Sequence, residues 1–308
     1  GSFPTEVGGF KPDFWKMKVL VLGGSGLIGL AVVTELVNHR YEVLALSRSE
    51  PAADSLRQIR ANVLSGDLCA PQDWATAVTR VEAIIQLAIT FTDDAGAVEQ
   101  KIFTALTQTL AAAKSKIRLI NTGSVWLYGA TGDNPADDSA AAGTQFHPIA
   151  DFAWAVNNGK ALLASPQFLT AVIHPAMVYH QTGGAFARYI ARSQDHSPIK
   201  IWGSSATRWP LVHRDDLAVA YRLLLEQPTL TGHFNASAKI EVRADIIAAA
   251  IAKKYRSPSG SMILPAAAVL KKYGRWAVGP MLDQQMMSSR LPNLCNWRPL
   301  SCDFGTCL

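Results

Sequence analysis

The sequence predicts an α/β fold, a doubly wound parallel sheet with a smaller C-terminal substrate-covering region, and three observations carry that prediction. Short apolar runs alternate with amphipathic stretches up to about residue 175, the pattern of parallel strands joined by crossover helices. A glycine-rich turn separates the first run from the first amphipathic stretch, and beyond Pro175 the rhythm loosens with more Pro and Gly. In chain order the apolar runs place strands at Lys18–Leu22, Glu42–Leu46, Ala61–Ser65, Ala83–Leu87, Ile117–Asn121 and Thr170–His174. Helical periodicity falls between them at Leu27–His39, Pro71–Val78, Gly96–Ala113 and Ala150–Ala164, each long enough for a right-handed crossover. The second half carries helices at Gly184–Arg192, Asp215–Glu226, Arg243–Tyr255 and Pro265–Gly274.

Composition narrows the classes. A chain of 308 residues, 49% hydrophobic and 17% charged, buries a large core and is not disordered. The net charge of +5 is spread among scattered basic residues, the mark of a solvated surface rather than a nucleic-acid face. Cys69, Cys295, Cys302 and Cys307 match no strong zinc spacing, so no metal is expected and a reduced, cytoplasmic protein is the simpler reading. No apolar run approaches the roughly 20 residues that span a bilayer, and the start lacks a signal-peptide layout. Neither a membrane nor a nucleic acid is expected as a partner. Residues 1–16 look like an added or unstructured extension, with Met17 the expected native start.

The glycine turn states a chemistry. In Gly23-Gly24-Ser25-Gly26-Leu27-Ile28-Gly29, Gly24 and Gly26 allow a tight turn and close approach of the backbone to phosphates, and Gly29 lets helix and sheet close together. The free amides of the helix starting near Leu27 then face a dinucleotide pyrophosphate. The helical pattern Leu27, Ala31, Val32, Leu36 follows directly, which separates this turn from a glycine loop without a ligand. Residues 17–175 are thus expected to form a dinucleotide-binding domain, and 176–308 a mainly substrate-binding region partly interleaved with it. Cofactor choice is read at the end of the second strand, Leu46-Ser47-Arg48-Ser49, which has no acidic tip residue. Arg48 offers a fork and Ser47 a hydroxyl to a 2′-phosphate, so NADP(H) is favoured over NAD(H), with Glu50 the dissenting residue. Asp67, before Leu68, is placed to meet the adenine edge, although an Asp after Gly is also an ordinary turn residue. Leu87 and Ala88 end the fourth strand where backbone should pass the cofactor.

These residues resemble the short-chain dehydrogenase/reductase superfamily, particularly its extended and atypical branches, which include NAD-dependent epimerase/dehydratase-like proteins. The likeness runs from Met17 to about Asn235. It rests on the glycine turn, Gly66-Asp-Leu68, Thr122-Gly-Ser-Val-Trp-Leu-Tyr-Gly129, Lys160, His174-Pro-Ala-Met-Val-Tyr179 and Val212-His-Arg-Asp-Asp-Leu-Ala218. The resemblance implies a Rossmann sheet. It also implies Ser124 in the catalytic hydroxyl role with Thr122 beside it, Lys160 binding the nicotinamide ribose, and His174 and Pro175 near the cofactor.

The family's tyrosine is missing. Four residues before Lys160 stands Val156, which offers neither proton nor dipole to a developing alkoxide. Tyr128 and Tyr179 are the foremost substitutes, followed by His147, Trp154, Asn157, His174 and His180; packing or surface roles compete for each. A second departure concerns substrate. The arginine that clamps a sugar-nucleotide diphosphate in the extended branch would stand four residues before His213, where Trp209 is found, with Arg208 one step off. The expected pocket therefore comprises Ser124, Trp126, Trp154, Val156, Met177 and Trp209, with Phe186, Trp202 and Trp276 as further aromatics, and suits a small hydrophobic or aromatic molecule. Asp216 is expected to cap the helix it begins.

Three activities are compatible with these residues. The first is an NADP(H)-dependent oxidoreductase on a small, mostly apolar carbonyl or activated alkene with a non-standard proton donor. The second is a non-redox enzyme of secondary metabolism, of cyclase, isomerase, dehydratase or retro-aldol type, and the third an NADP(H)-binding sensor without turnover. A homodimer is compatible with all three.

Overall fold

The computed structural model describes residues 15–89, 92–139, 146–301 and 303–308; the expected extension up to residue 14 and Cys302 lie outside them. The first half alternates as the apolar pattern predicts: β1 (Met17–Leu22), α1 (Leu27–Asn38), β2 (Tyr41–Ser47), α2 (Glu50–Gln58), β3 (Asn62–Ser65), β4 (Ala83–Gln86), α3 (Ala95–Thr109), β5 (Ile117–Thr122), α4 (Ala153–Ala164) and β6 (Phe168–Pro175). The second half holds β7 (Met177–His180), β8 (Gly183–Gly184), α5 (Ala187–Gln194), β9 (Ile199–Trp202), β10 (Arg208–His213), α6 (Arg214–Glu226), β11 (Gly232–Ala236), β12 (Lys239–Arg243), α7 (Ala244–Lys254), β13 (Ser261–Leu264), α8 (Ala266–Tyr273), α9 (Val278–Met281) and α10 (Arg290–Cys295).

Seven parallel strands form the main sheet in the order β11-β6-β5-β4-β1-β2-β3. The Rossmann-type fold is therefore present, and β11, from the second half of the chain, supplies its last strand. Alternate residues of each strand feed opposite faces. Val19 and Val21 join the core under α1 and α6, whereas Leu20 and Leu22 join Ile102, Leu106 and Leu162 under α3 and α4. Strand order reverses at β1, which pairs with β2 on one side and β4 on the other, so the crevice for a ligand opens at its carboxyl end. Smaller sheets, β12-β10-β7-β8 and β13-β9, build the second lobe.

Two elements of the first half differ from the pattern, and the strands of the second half, β7 to β13, with α9 and α10, have no counterpart in it. The stretch expected as a helix over Pro71–Val78 is a pair of 3₁₀ turns, Pro71–Asp73 and Ala75–Arg80. Trp74 breaks them apart with φ −134°, because its ring is fully buried and its Nε1–H donates to Asp67 O at 2.7 Å. Helix α2 is not predicted by apolar periodicity, since only Ala53 and Leu56 are buried; Ser49 Oγ caps it by accepting the Ala52 N–H. Among the described residues no helix is long and apolar enough to cross a membrane, and no three His, Cys, Asp or Glu side chains are grouped to hold a metal.

The β5 exit loop is seated on a buried histidine pair. A Cβ on Gly123 would lie 2.3 Å from His174 Nδ1, so only glycine lets the chain pass over this ring. His174 Nδ1 accepts the Ser124 N–H (3.3 Å), which leaves Nε2–H to donate to His233 Nδ1 at 2.9 Å. Both rings are neutral: burial pushes His174 down to about 3 and His233 to about 4. Unfolded histidines take up protons as pH falls below about 6.5, while the folded pair refuses them, so stability is complete above that pH and declines on acidification. His174, which is 1% exposed, contributes a slope of about 1 kcal/mol per pH unit between these limits. Urea unfolding at pH 7.5 and pH 5 is expected to show a smaller difference in His233→Gln than in the wild type; an unchanged difference would mean that the pair is already charged.

Candidate functional site

The glycine turn sits at the reversal of strand order, and its geometry admits few other residues. Gly23 has φ +85° and a Cβ there would meet Ala88 N at 2.5 Å, so the turn is pressed against the chain leaving β4. A Cβ on Gly29 would come within 2.0 Å of Gly23 O, while Gly24 faces Val33, Ala45 and Leu56 in the core. Gly26 differs: its nearest neighbour would be Gly23 O at 3.6 Å, and it is open outward. Leu30 N–H is bonded to Gly26 O at 2.9 Å, so the amides of Leu27, Ile28 and Gly29 precede the first helical bond and remain as donors. No acidic side chain stands in the first turn and no side chain caps it. An open, unshielded helix start of this kind fits an anionic pyrophosphate.

From this cradle a cleft of ≈ 1400 Å³ runs to the second lobe. Gly23, Gly26, Leu27, Ile28, Gly29, Leu68, Leu87, Ala88, Thr122 and Pro175 line it, as do Ser124, Trp126, Trp154, Met177 and Trp209. Of the remaining residues expected near a cofactor, Ser25 and Arg48 are exposed at the surface. Ser47 Oγ donates to Ser49 O (3.1 Å) and Asp67 Oδ1 accepts the Cys69 N–H (2.8 Å), so both side chains hold their own turns. His174 lies beneath the Ser124 backbone rather than in the cleft.

Helix α4 is turned differently from the family register. Trp154 and Ala155 line the cleft, and Asn158, one turn beyond Trp154, donates to Gly96 O and to Glu99 Oε1, each at 3.4 Å. At 100° per residue, Val156 points about 160° away from both Trp154 and Asn158, and Lys160 about 120° from Trp154. Lys160 is exposed, and neither it nor Val156 lines the cleft. Gly159 and Leu162, the helix's buried residues, fix this rotation, and Gly96 makes room for the Trp154 ring, which a Cβ would meet at 2.7 Å. Of α4, Trp154 and Ala155 thus face the cleft, and Asn158 reaches it only through its bond to Glu99.

The two tyrosines proposed as proton donors are engaged elsewhere. Tyr128 O–H donates to Asn235 Oδ1 at 2.6 Å, and Tyr179 O–H to Ser301 O at 3.3 Å; both are buried and neither lines the cleft. Instead the cleft contains Glu99, which the sequence reading passed over. Its carboxyl is 8% exposed and receives the amides of Asn158, Gln86 and Asn121, yet burial outweighs them and pushes its pKa up to about 7. Ser124 Oγ accepts the Trp126 N–H at 3.1 Å and keeps its own O–H for another acceptor.

Beyond Ser124 the wall is aromatic. Trp126 stacks on Phe152 (5.4 Å between centroids), its Nε1–H meets Met177 Sδ at 3.3 Å, and Gly279 leaves room for its ring. Trp209 is fixed by donating to Pro280 O at 2.8 Å. Arg208 is no diphosphate clamp: it grips Asp283 with two bonds (3.0 and 2.7 Å) and Asp133 with a third (2.9 Å). Asp216 also departs from expectation, because His213 Nδ1 caps α6 by accepting the Asp215 N–H, while the Asp216 carboxylate accepts Leu300 N–H and Ser301 N–H at 2.9 Å each.

Comparison with known proteins agrees with this architecture. The sterol-4-alpha-carboxylate 3-dehydrogenase, decarboxylating, of Dictyostelium discoideum is 28% identical over 163 residues; the match spans 50% of this chain and about half (47%) of that protein. An epimerase family protein of Mycobacterium bovis is 26% identical over 283 residues, 89% of this chain and 90% of that one. Among solved structures, human epimerase family protein SDR39U1 with NADPH superposes with a TM-score of 0.74 at 18% identity, covering 94% of this chain and 97% of that chain. The profile of the NAD-dependent epimerase/dehydratase family matches residues 19–237. With the glycine cradle, the reversal of strand order and the Ser124 loop all inside that span, this chain belongs to the NAD-dependent epimerase/dehydratase family.

Proposed function

We propose that this protein is an NADP(H)-dependent oxidoreductase acting on a small, mostly apolar carbonyl or activated alkene. The observation that carries the reading is a single cleft shared by an anion cradle, two proton-holding groups and an aromatic wall. Family membership supports an enzyme of the NAD(P)-dependent type. Preference for the 2′-phosphate form rests on Arg48, exposed at the end of β2 where an acidic residue would select the unphosphorylated ribose.

Each group has a task that follows from its chemistry. The amides of Leu27, Ile28 and Gly29 would hold the pyrophosphate, Leu87 and Ala88 would flank the cofactor, and Arg48 would meet the 2′-phosphate, the Ser47 hydroxyl being engaged by Ser49 O. The bound nicotinamide supplies or accepts a hydride. Ser124 O–H donates to the substrate oxygen, and Glu99, poised near neutrality, holds the proton that balances the transfer. Asn158 orients that carboxyl, and the wall of Trp126, Phe152 and Trp209 excludes water from an apolar substrate. One observation favours a second reading, non-redox conversion in the same cleft: α4 presents Trp154 to it, while neither Val156 nor Lys160, at the positions of the family's tyrosine and lysine, lines it. Product formed with no stoichiometric NADPH oxidation would establish that alternative.

Fluorescence titration is expected to show tighter binding of NADPH than of NADH, and Arg48→Ala is expected to weaken NADPH about 10- to 100-fold while sparing NADH. Equal affinities for the two would remove the case for the phosphorylated cofactor. Lys160→Ala is expected to leave cofactor affinity and turnover within about twofold of the wild type, whereas a family-type lysine would lose orders of magnitude; steady-state kinetics distinguish the two. Glu99→Gln is expected to abolish the ionisation near pH 7 in the kcat profile. It should also raise the melting temperature relative to wild type at pH 8 and much less at pH 5. A carboxyl whose pKa is raised by burial costs stability as pH climbs from about 4.5 to 7, and glutamine carries no such cost.

A further inference from the structure

Arg188 is the second residue of α5 and lines the far end of the cleft. Its guanidinium lies 3.6 Å from the centroid of the Trp202 ring, and Trp202 is held in turn against Tyr273 (4.6 Å) and Trp276 (5.9 Å). The Nε of Arg188 is buried and has no acceptor among the described residues. Three other arginines with little exposure are compensated, Arg222 by Glu35 and Glu226, Arg118 by carbonyls of α6 and its exit, and Arg208 by two aspartates. Arg214, whose Nε is also buried without a hydrogen bond, has Asp215 at 3.4 Å. Even Arg275, on the same wall, is paired to Asp151 at 3.0 Å. Burial lowers the Arg188 pKa, with the Tyr189 and Tyr273 hydroxyls opposing it, but an arginine side chain stays charged.

A partly desolvated cation with no carboxylate partner among the described residues is costly, and the π-face of Trp202 offsets only part of that cost. Protein sites retain such a charge where an incoming anion completes it. Resting on the reading of this cleft as the substrate site, we propose that Arg188 recognises an oxyanion on the substrate, which joins an aromatic or aliphatic body to a carboxylate or a phosphate-type group. The apolar body lies against Trp126, Met177, Trp209 and Trp276, and the oxyanion meets the guanidinium fork. This handle sits on a helix of the second lobe and is distinct from Arg208 on β10, whose bonds to Asp283 and Asp133 leave it engaged.

Calorimetric titration of 3-phenylpropanoate, 2-phenylethylphosphonate and 3-phenylpropanamide into the protein, with and without saturating NADPH, tests the assignment. At least one of the two anions is expected to bind about 10- to 100-fold more tightly than the neutral amide, and the stronger one identifies the oxyanion. Arg188→Gln is expected to erase that preference and Arg188→Lys to retain part of it, with the amide and NADPH affinities unchanged. Anions that bind no better than the amide, no binding by any of the three at millimolar concentration, or a preference that survives in a folded Arg188→Gln variant would overturn the proposal. So would a parallel loss of NADPH affinity, which would give the arginine to the cofactor. Where the variant does not fold, the wild-type comparison of anion with amide decides. Failure of NADPH to bind would sink the oxidoreductase reading alone, since the anion preference is also measured in the cofactor-free protein.

Discussion

The organisation of this protein depends on a backbone-to-backbone approach, the contact of Gly23 with the chain at Leu87 and Ala88. The gap that a Cβ would leave there is smaller than any real side chain tolerates. Because β1 and β4 are neighbours in the sheet and their exits diverge to α1 and toward α3, this contact sets how closely the two halves of the crevice stand. Gln86 holds the other side of the contact, its amide bracketing Ala88 by donating to Ala88 O (3.1 Å) and accepting Ala88 N–H (3.0 Å). The same amide reaches Glu99. One short segment therefore fixes the cradle, the cleft floor and the carboxyl that titrates near neutrality.

The far side of the cleft is held by buried polar groups rather than by apolar packing alone. Asp138 accepts N–H groups from Asn235 (2.7 Å), Ser289 (2.9 Å) and Arg290 (3.2 Å), and Gln284 donates to Val125 O and Gly129 O. Tyr128 completes this network through Asn235. The loop that presents Ser124 and Trp126 is thus anchored from beneath by segments of the last third of the chain. Tyr128 belongs to the scaffold of the site, which explains why its hydroxyl is turned from the cleft.

Much of this was legible in the sequence, and the exceptions have physical causes. Continuous apolar runs reveal strands buried on both faces, and the glycine spacing reveals the cradle, because each leaves a local signature. Helix α2 left no such signature, since it buries only two residues; its signal was the cap at Ser49 with Pro51 in the first turn. The rotation of α4 is set by Gly159 and Leu162 meeting the sheet, which outweighs a motif count from Lys160. Glu99 did leave a trace: it stands on the apolar stripe Ala95, Glu99, Ile102, Leu106 of α3, where an acid is out of place. Arg188 left none, because a lone arginine becomes informative only when its surroundings are known to lack a partner.

The last strand of the main sheet, β11, is separated from its neighbour β6 by the whole of β7 through α6. Arg118 in β5 reaches across the same interval, donating to carbonyls of Leu224 and Pro228 that lie 106 and 110 residues later in the chain. Such pairings reward the chain only after a long loop has been closed, so they raise contact order and slow folding. During synthesis β6 emerges as a temporary open edge, exposed until β11 follows it. The elements β7 through α6 must be synthesised before β11 can close that edge, whereas β12 and β13 complete the second lobe only afterwards, so the sheet that carries the cradle can be sealed before the substrate wall is whole.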